Sequence, residues 1–143
     1  MGALPPDWAL PELTPVNRTW FTSGEIAIQC CTNCGVLQHP AEEICHRCGS
    51  MDLGTRVLAP RGTVHSHTVV HYAANRRLAD AVPYTVVLVS LDDAPELRVL
   101  ADLVAGGPIA IGAPVEATWT DHVADDGDLI RLLHWRRSDR PAE

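Results

Sequence analysis

Lysine is absent from this 143-residue chain: all 11 basic residues are arginine, set against 18 acidic ones for a formal net charge of −7. A surface of that sign repels a phosphate backbone, which argues against nucleic acid as a partner. Arginine-only usage fits the codon bias of a GC-rich genome and needs no functional explanation. Aromatic residues are also scarce, with one phenylalanine and two tyrosines beside four tryptophans, so stacking platforms for unpaired bases are few. The longest uncharged apolar runs, such as Val82 to Leu91, are far too short to span a bilayer. No basic segment followed by a continuous apolar one opens the sequence, so a soluble protein of the cytoplasm is expected. Nucleophile elbow, phosphate loop and paired-carboxylate motifs are missing too, and catalysis by this chain alone is not expected.

Cysteine is present, and its spacing is informative. Five cysteines in a chain of a reducing compartment read as metal ligands or buried thiols, because disulfides do not persist there. Cys31-Thr-Asn-Cys34-Gly35 and Cys45-His-Arg-Cys48-Gly49 repeat one form, a Cys-x-x-Cys turn followed by glycine. Each turn brings two thiolates to one side of a tetrahedral site, and the glycine supplies the positive φ that such a turn needs. The ten residues between Cys34 and Cys45 suffice for a short hairpin with Pro40 at its tip. The pattern predicts a zinc ribbon in which Cys31, Cys34, Cys45 and Cys48 hold one structural ion. A rubredoxin-like iron centre is the rival occupant, since paired knuckles do not by themselves choose the metal. Four thiolates leave no open position for water, so the site is expected to stabilise the fold rather than catalyse.

The other candidate ligands read less sharply. Cys30 falls in register with Ile26 and Ile28 on a strand over residues 25–30 and is expected to be buried as a small apolar residue. His39 and His46 lie inside the ribbon and are expected to be exposed. His65, His67 and His71 occupy alternate positions of one predicted strand, the arrangement a three-histidine metal site would need, but they also form its more polar face and are expected to meet solvent or an interface. Arg76-Arg77 and Arg136-Arg137 suit the phosphates of an acyl-coenzyme A ligand or, more simply, a solvated surface.

Around the ribbon the chain divides into four parts. Residues 1–24 read as a proline-rich extended arm and a short helix that Thr14 caps and Pro15 opens. Residues 25–52 form the ribbon, 53–137 a barrel, and 138–143 a charged flexible tail. Strands are predicted at 62–72, 82–91, 97–104, 115–122 and 129–136, separated by turn sequences such as Asp92-Asp-Ala-Pro95 and Asp125-Asp-Gly-Asp128, and five of them suit a small antiparallel barrel. Strand 82–91 is apolar on both faces, with Tyr84, Val86 and Leu88 opposite Val87, Val89 and Leu91. A barrel has one interior, so the outer face calls for a cover, either the zinc module or another chain.

In order and spacing, Trp20-Phe21, Gly24-Glu25-Ile26, the paired knuckles ending in Cys48-Gly49-Ser50, Arg61-Gly62-Thr63-Val64-His65-Ser66, Val82-Pro83-Tyr84 and Ile111-Gly112-Ala113-Pro114-Val115 resemble the zinc-ribbon plus OB-fold proteins associated with acyl-coenzyme A enzymes. The family usually carries a basic residue where this chain has Cys30, and often the reverse order of the aromatic pair; neither touches the zinc ligands. The resemblance implies a mainly β fold, a short helix and rubredoxin-like zinc ribbon followed by a five-stranded antiparallel OB barrel. It further implies a non-catalytic subunit, with two copies of each chain, docked on a thiolase-superfamily enzyme whose substrate is an acyl-CoA. The leading expectation is an aldolase of the lipid-transfer-protein type that cleaves a steroid side chain; a thiolase or acetyltransferase complex is the alternative. A single-stranded nucleic-acid binder ranks lower, and no membrane partner is expected.

Overall fold

The computed structural model describes residues 9–141. The first eight residues of the expected arm lie outside that range, and residues 9–13 carry no regular element. Thr14 then starts a turn by reciprocal capping. Its amide donates to Asn17 Oδ1 at 2.7 Å, and the Asn17 amide donates back to Thr14 Oγ1 at 3.2 Å. Regular helix follows over Arg18–Thr22 (α1), three residues later than the capping signal suggests, after a turn over Pro15 to Asn17 that the Arg18 amide closes by donating to Thr14 O at 3.0 Å. Gly24, at φ +65°, turns the chain out of the helix beneath the Arg131 side chain.

Ile26–Cys31 (β1), Leu37–Gln38 (β2) and Leu53–Leu58 (β3) form a three-stranded antiparallel sheet in the order β2-β1-β3. Ile26 and Ile28 are fully buried as their alternation requires, but Ala27 is buried too because α1 packs against β1. Cys30 departs from the expectation: it is only half-buried, with its sulfur 4.0 Å from an Arg56 guanidinium nitrogen. Gln29 and Cys30 are the partly exposed residues of the strand, between the buried Ile28 and the buried Cys31.

Five further strands form the second sheet: Arg61–Val70 (β4), Tyr84–Leu91 (β5), Arg98–Asp102 (β6), Pro114–Val123 (β7) and Leu129–Arg137 (β8), all antiparallel in the order β6-β5-β4-β7-β8. The two edges meet where Leu103 bridges Trp135 in parallel and the Val104 amide donates to the Trp135 carbonyl at 2.8 Å. That closure of a five-stranded sheet is the OB barrel. Thr85, Val87, Val89 and Leu91 point inward from β5, and Trp135 is fully buried with its indole N–H donating to Val99 O. Ile26, Ile28 and Leu58 of the ribbon sheet belong to the same continuous core as Val64, Val89, Val115 and Trp135 of the barrel. At Gly62 the strands β4 and β5 approach so closely that a Cβ would sit 2.2 Å from the Ser90 carbonyl oxygen.

Two expectations change here. The register of β4 against β5 slips between Val64 and Ser66, so His65 is the extra residue of a bulge. Beyond it, His67 faces Val87 across the ladder while Ser66 and Thr68 face Leu88 and Val86. His65, His67 and His71 therefore do not share a strand face, since the bulge breaks their period and His71 lies past the end of β4; all three are exposed. The charged segment after β8 is also anchored through Arg140. The Ser138 amide donates to Pro114 O at 3.1 Å, its hydroxyl to Glu116 Oε1 at 3.1 Å, and Arg140 reaches Asp92 at 2.9 Å.

Candidate metal centre

The two knuckles are near-duplicates in hydrogen bonding as well as in sequence. Gly35 N donates to Cys31 O at 2.9 Å and Cys31 N to Val36 O at 3.0 Å; Gly49 N donates to Cys45 O at 3.0 Å and Cys45 N to Ser50 O at 2.9 Å. Gly35 and Gly49 sit at φ +78° and +76°, the left-handed region that glycine enters without strain. The four sulfurs all lie within 4.8 Å of one another, with Cys31–Cys48 at 3.6 Å and Cys34–Cys45 at 3.7 Å. A regular tetrahedron with Zn–S bonds of about 2.3 Å has sulfur–sulfur edges of about 3.8 Å. The donor set and its spacing thus fit a four-thiolate zinc ion. Among the described residues no other group of three or more His, Cys, Asp or Glu side chains gathers in this way.

Neighbouring dipoles favour the ionised sulfurs. The Asn33 side-chain amide, 3.5 Å from Cys48 Sγ, and the Ser50 amide bring the Cys48 thiol down to about 6. The amides of Cys48 and Arg47 lower Cys45. Cys34 moves the other way, to about 11: the Val36 amide lowers it, but burial and the adjacent sulfurs outweigh that. Four sulfurs this close ionise together only with a cation among them.

Sequence reasoning missed what holds the intervening loop. Gln38 is buried at 4% exposure; its amide nitrogen donates to Gln29 Oε1 at 2.6 Å and to Ile44 O at 3.1 Å, and its oxygen accepts from the His46 amide at 3.0 Å. Gln29 completes the set, donating to Glu42 O at 2.8 Å and accepting from Glu42 N at 2.9 Å. Two glutamines thus satisfy the backbone of residues 42–46 where no strand pairs with it. His46 is exposed as expected and touches Gln38 Oε1 through Nδ1. His39 is not: it is half-buried, its ring centroid 4.4 Å from that of Trp20, and burial lowers its pKa to about 4.

The remaining candidates serve the barrel. Arg136 pairs with Glu116 at 3.0 Å, and Arg137 donates to the carbonyls of Gly106 and Pro108 at 2.8 Å, so both members of that arginine pair hold strands and loops in place. Arg76 and Arg77 are exposed in a one-turn 3-10 helix. At the barrel seam His134 is 4% exposed, with Nδ1 2.5 Å from Asp102 and Nε2 2.8 Å from Thr120 Oγ1, which in turn meets His122 at 2.8 Å. This chain of polar groups ties β6 to β8 and β7. Nothing local in the sequence announces a pair 32 positions apart.

A four-cysteine ribbon joined through one core to a five-stranded OB barrel defines the class of protein. Comparison with known proteins is consistent with both halves. Residues 22–54 match the rubredoxin-like zinc ribbon domain of ChsH2, and residues 55–120 match the ChsH2 C-terminal OB-fold domain. A DUF35 domain-containing scaffold protein of Methanocaldococcus jannaschii is 30% identical over 68% of this chain and 69% of its own length. The chain belongs to this DUF35 family of zinc-ribbon and OB-fold proteins. The alpha subunit of a 3-oxo-4,17-pregnadiene-20-carboxyl-CoA hydratase from Mycobacterium tuberculosis is 32% identical over 82% of this chain, a match that spans 38% of that protein. Among solved structures, a chain of the Ltp2-ChsH2(DUF35) aldolase superposes with a TM-score of 0.73 and 33% identity, covering 90% of this chain and 98% of that one. A DUF35 protein of unknown function from Sulfolobus solfataricus, at 17% identity and a TM-score of 0.50, shares the fold.

No helix among the described residues is long and apolar enough to cross a membrane.

Proposed function

We propose that this chain is the non-catalytic ribbon and OB-fold subunit of a thiolase-fold enzyme acting on acyl-CoA thioesters, most specifically a retro-aldol lyase of steroid side-chain degradation, assembled with two copies of each chain. The observation that carries the reading is the likeness to the aldolase chain, which runs through ribbon and barrel together at 33% identity. The hydratase relative, whose name specifies a steroid-derived acyl-CoA, supports the substrate class. A scaffold role in a thiolase or acetyltransferase complex is the second reading; the archaeal relative's name supports the scaffold part of it.

In this role Cys31, Cys34, Cys45 and Cys48 hold one structural zinc ion, which closes the ribbon and takes no part in the reaction. The chain's own work is to present a rigid surface. The four ligands occupy the metal fully, and the buried histidine at the seam is committed to Asp102 and Thr120. The barrel lacks lysine and has few exposed aromatic residues, so single-stranded nucleic acid suits it poorly.

Co-expression with a thiolase-fold protein encoded beside it is the direct test. A stable hetero-oligomer that cleaves a steroid β-hydroxyacyl-CoA, with neither chain active alone, is the expected result. A chain that stays monomeric in the presence of every such protein, or that alone turns over the thioester, would contradict the proposal.

A further inference from the structure

Around the second knuckle, two adjoining clefts share Pro15, Val16, Glu42 and Glu43, forming one groove between the capped turn before α1 and the loop of residues 41–46. Its rim carries two large apolar side chains in the open, Ile44 at 52% and Met51 at 78% exposure. Neither Glu42 nor Glu43 takes part in an ion pair among the described residues, and no arginine lines the groove. The loop that displays these groups is nonetheless held firmly. Gln29 and Gln38 fix the backbone of Glu42, Ile44 and His46 by the bonds described above, and Cys45 anchors it to the sulfur cluster.

A loop fixed by the hydrogen bonds of Gln29 and Gln38, exposing Ile44 and two carboxylates without ion pairs beside the exposed Met51, is preorganised for contact: burying it costs little ordering entropy. The apolar groove with an acidic rim selects the chemistry of the occupant. We propose that this groove seats an apolar side chain flanked by arginine or lysine on the surface of the thiolase-fold partner. The inference rests on the proposed function and adds to it the surface that docks. A second copy of this chain is disfavoured as occupant, because a molecule of net charge −7 would bring further negative charge to the carboxylates.

The test uses the full chain and its co-expressed thiolase-fold enzyme, with affinity measured between about 50 and 500 mM salt, a range over which screening removes rim electrostatics. The double variant Glu42→Arg/Glu43→Arg should weaken association about 30-fold at low salt and reverse its salt dependence, and the uncharged Met51→Gln should weaken it about tenfold at all salts. Glu96→Arg, exposed in the β5–β6 turn and lining neither cleft, should leave affinity within about twofold. Zinc content and the circular dichroism spectrum report that each variant is folded. If both groove variants are folded and bind as the unaltered chain does, the groove is not the docking surface and the inference is overturned while the proposed function stands. If the chain alone sediments as a dimer that Glu42→Arg/Glu43→Arg dissociates, the occupant is a second copy and the inference is likewise overturned. Should the unaltered chain bind no thiolase-fold enzyme at all, the proposed function fails and takes this inference with it.

Discussion

At Gly62 the absence of a side chain sets the spacing of two strands. A Cβ there would lie 2.2 Å from the Ser90 carbonyl oxygen and 2.6 Å from a Val89 methyl, and backbone cannot move aside as a flexible side chain can. Gly62→Ala should therefore destabilise the chain by about 2–3 kcal/mol, readable as a lower urea midpoint; an unchanged midpoint would mean that β4 and β5 separate freely. His39 makes a second residue-scale case. Burial beside Trp20 lowers its pKa from the ordinary 6.5 to about 4, so the unfolded chain binds its proton first as pH falls. Stability is retained above pH 6.5 and lost progressively between about 6.5 and 4, by about 2 kcal/mol allowing for partial exposure. With zinc in excess, His39→Gln should flatten that slope of unfolding free energy against pH; an equal slope in both proteins would assign it to other groups.

Among the elements, the most legible were those set by short-range chemistry. Each knuckle is specified by its own five residues, because Cys-x-x-Cys-Gly determines both the turn and the glycine conformation after it. Strand β5 was equally legible, since strict alternation from Tyr84 to Leu91 survives in its burial. What could not be read depends on contacts between distant residues. The bulge at His65 reverses the facing of everything after it, and it arises from how β4 registers on β5, which no periodicity within β4 contains. Gln29 and Gln38 look like ordinary polar strand residues until β2 pairs with β1 and sets them side by side at Gln29↔Gln38. His39 reads as a loop histidine because the tryptophan that covers it lies 19 positions earlier. On the outer face of β5, Tyr84, Val86 and Leu88 are partly buried. Leu100, opposite Leu88 in the ladder, remains 64% exposed.

For the whole molecule, the decisive feature is that ribbon and barrel share a core. Ile26, Ile28 and Leu58 come from the ribbon sheet, yet they are contiguous with Val64, Val89 and Trp135 of the barrel. A ribbon that stood apart would melt alone when its metal was taken away. Here β1 is paired with β2 and β3 and leads directly into Cys31, so losing the knuckles loosens the strand that delivers two fully buried isoleucines. Metal binding in zinc-finger peptides is worth about 10–16 kcal/mol, far more than the few apolar side chains of such a module supply. Removing the zinc with a strong chelator, or removing one ligand by Cys48→Ser, should accordingly lower a single cooperative melting transition by about 10 °C or more rather than split off a minor early one. Near-ultraviolet circular dichroism of a Trp20→Phe background, which removes the tryptophan beside the ribbon, would follow the barrel with its fully buried Trp135 in the same scan. If its signal persists to the original melting temperature after the metal is gone, the barrel stands without the ribbon and the shared core contributes little to its stability.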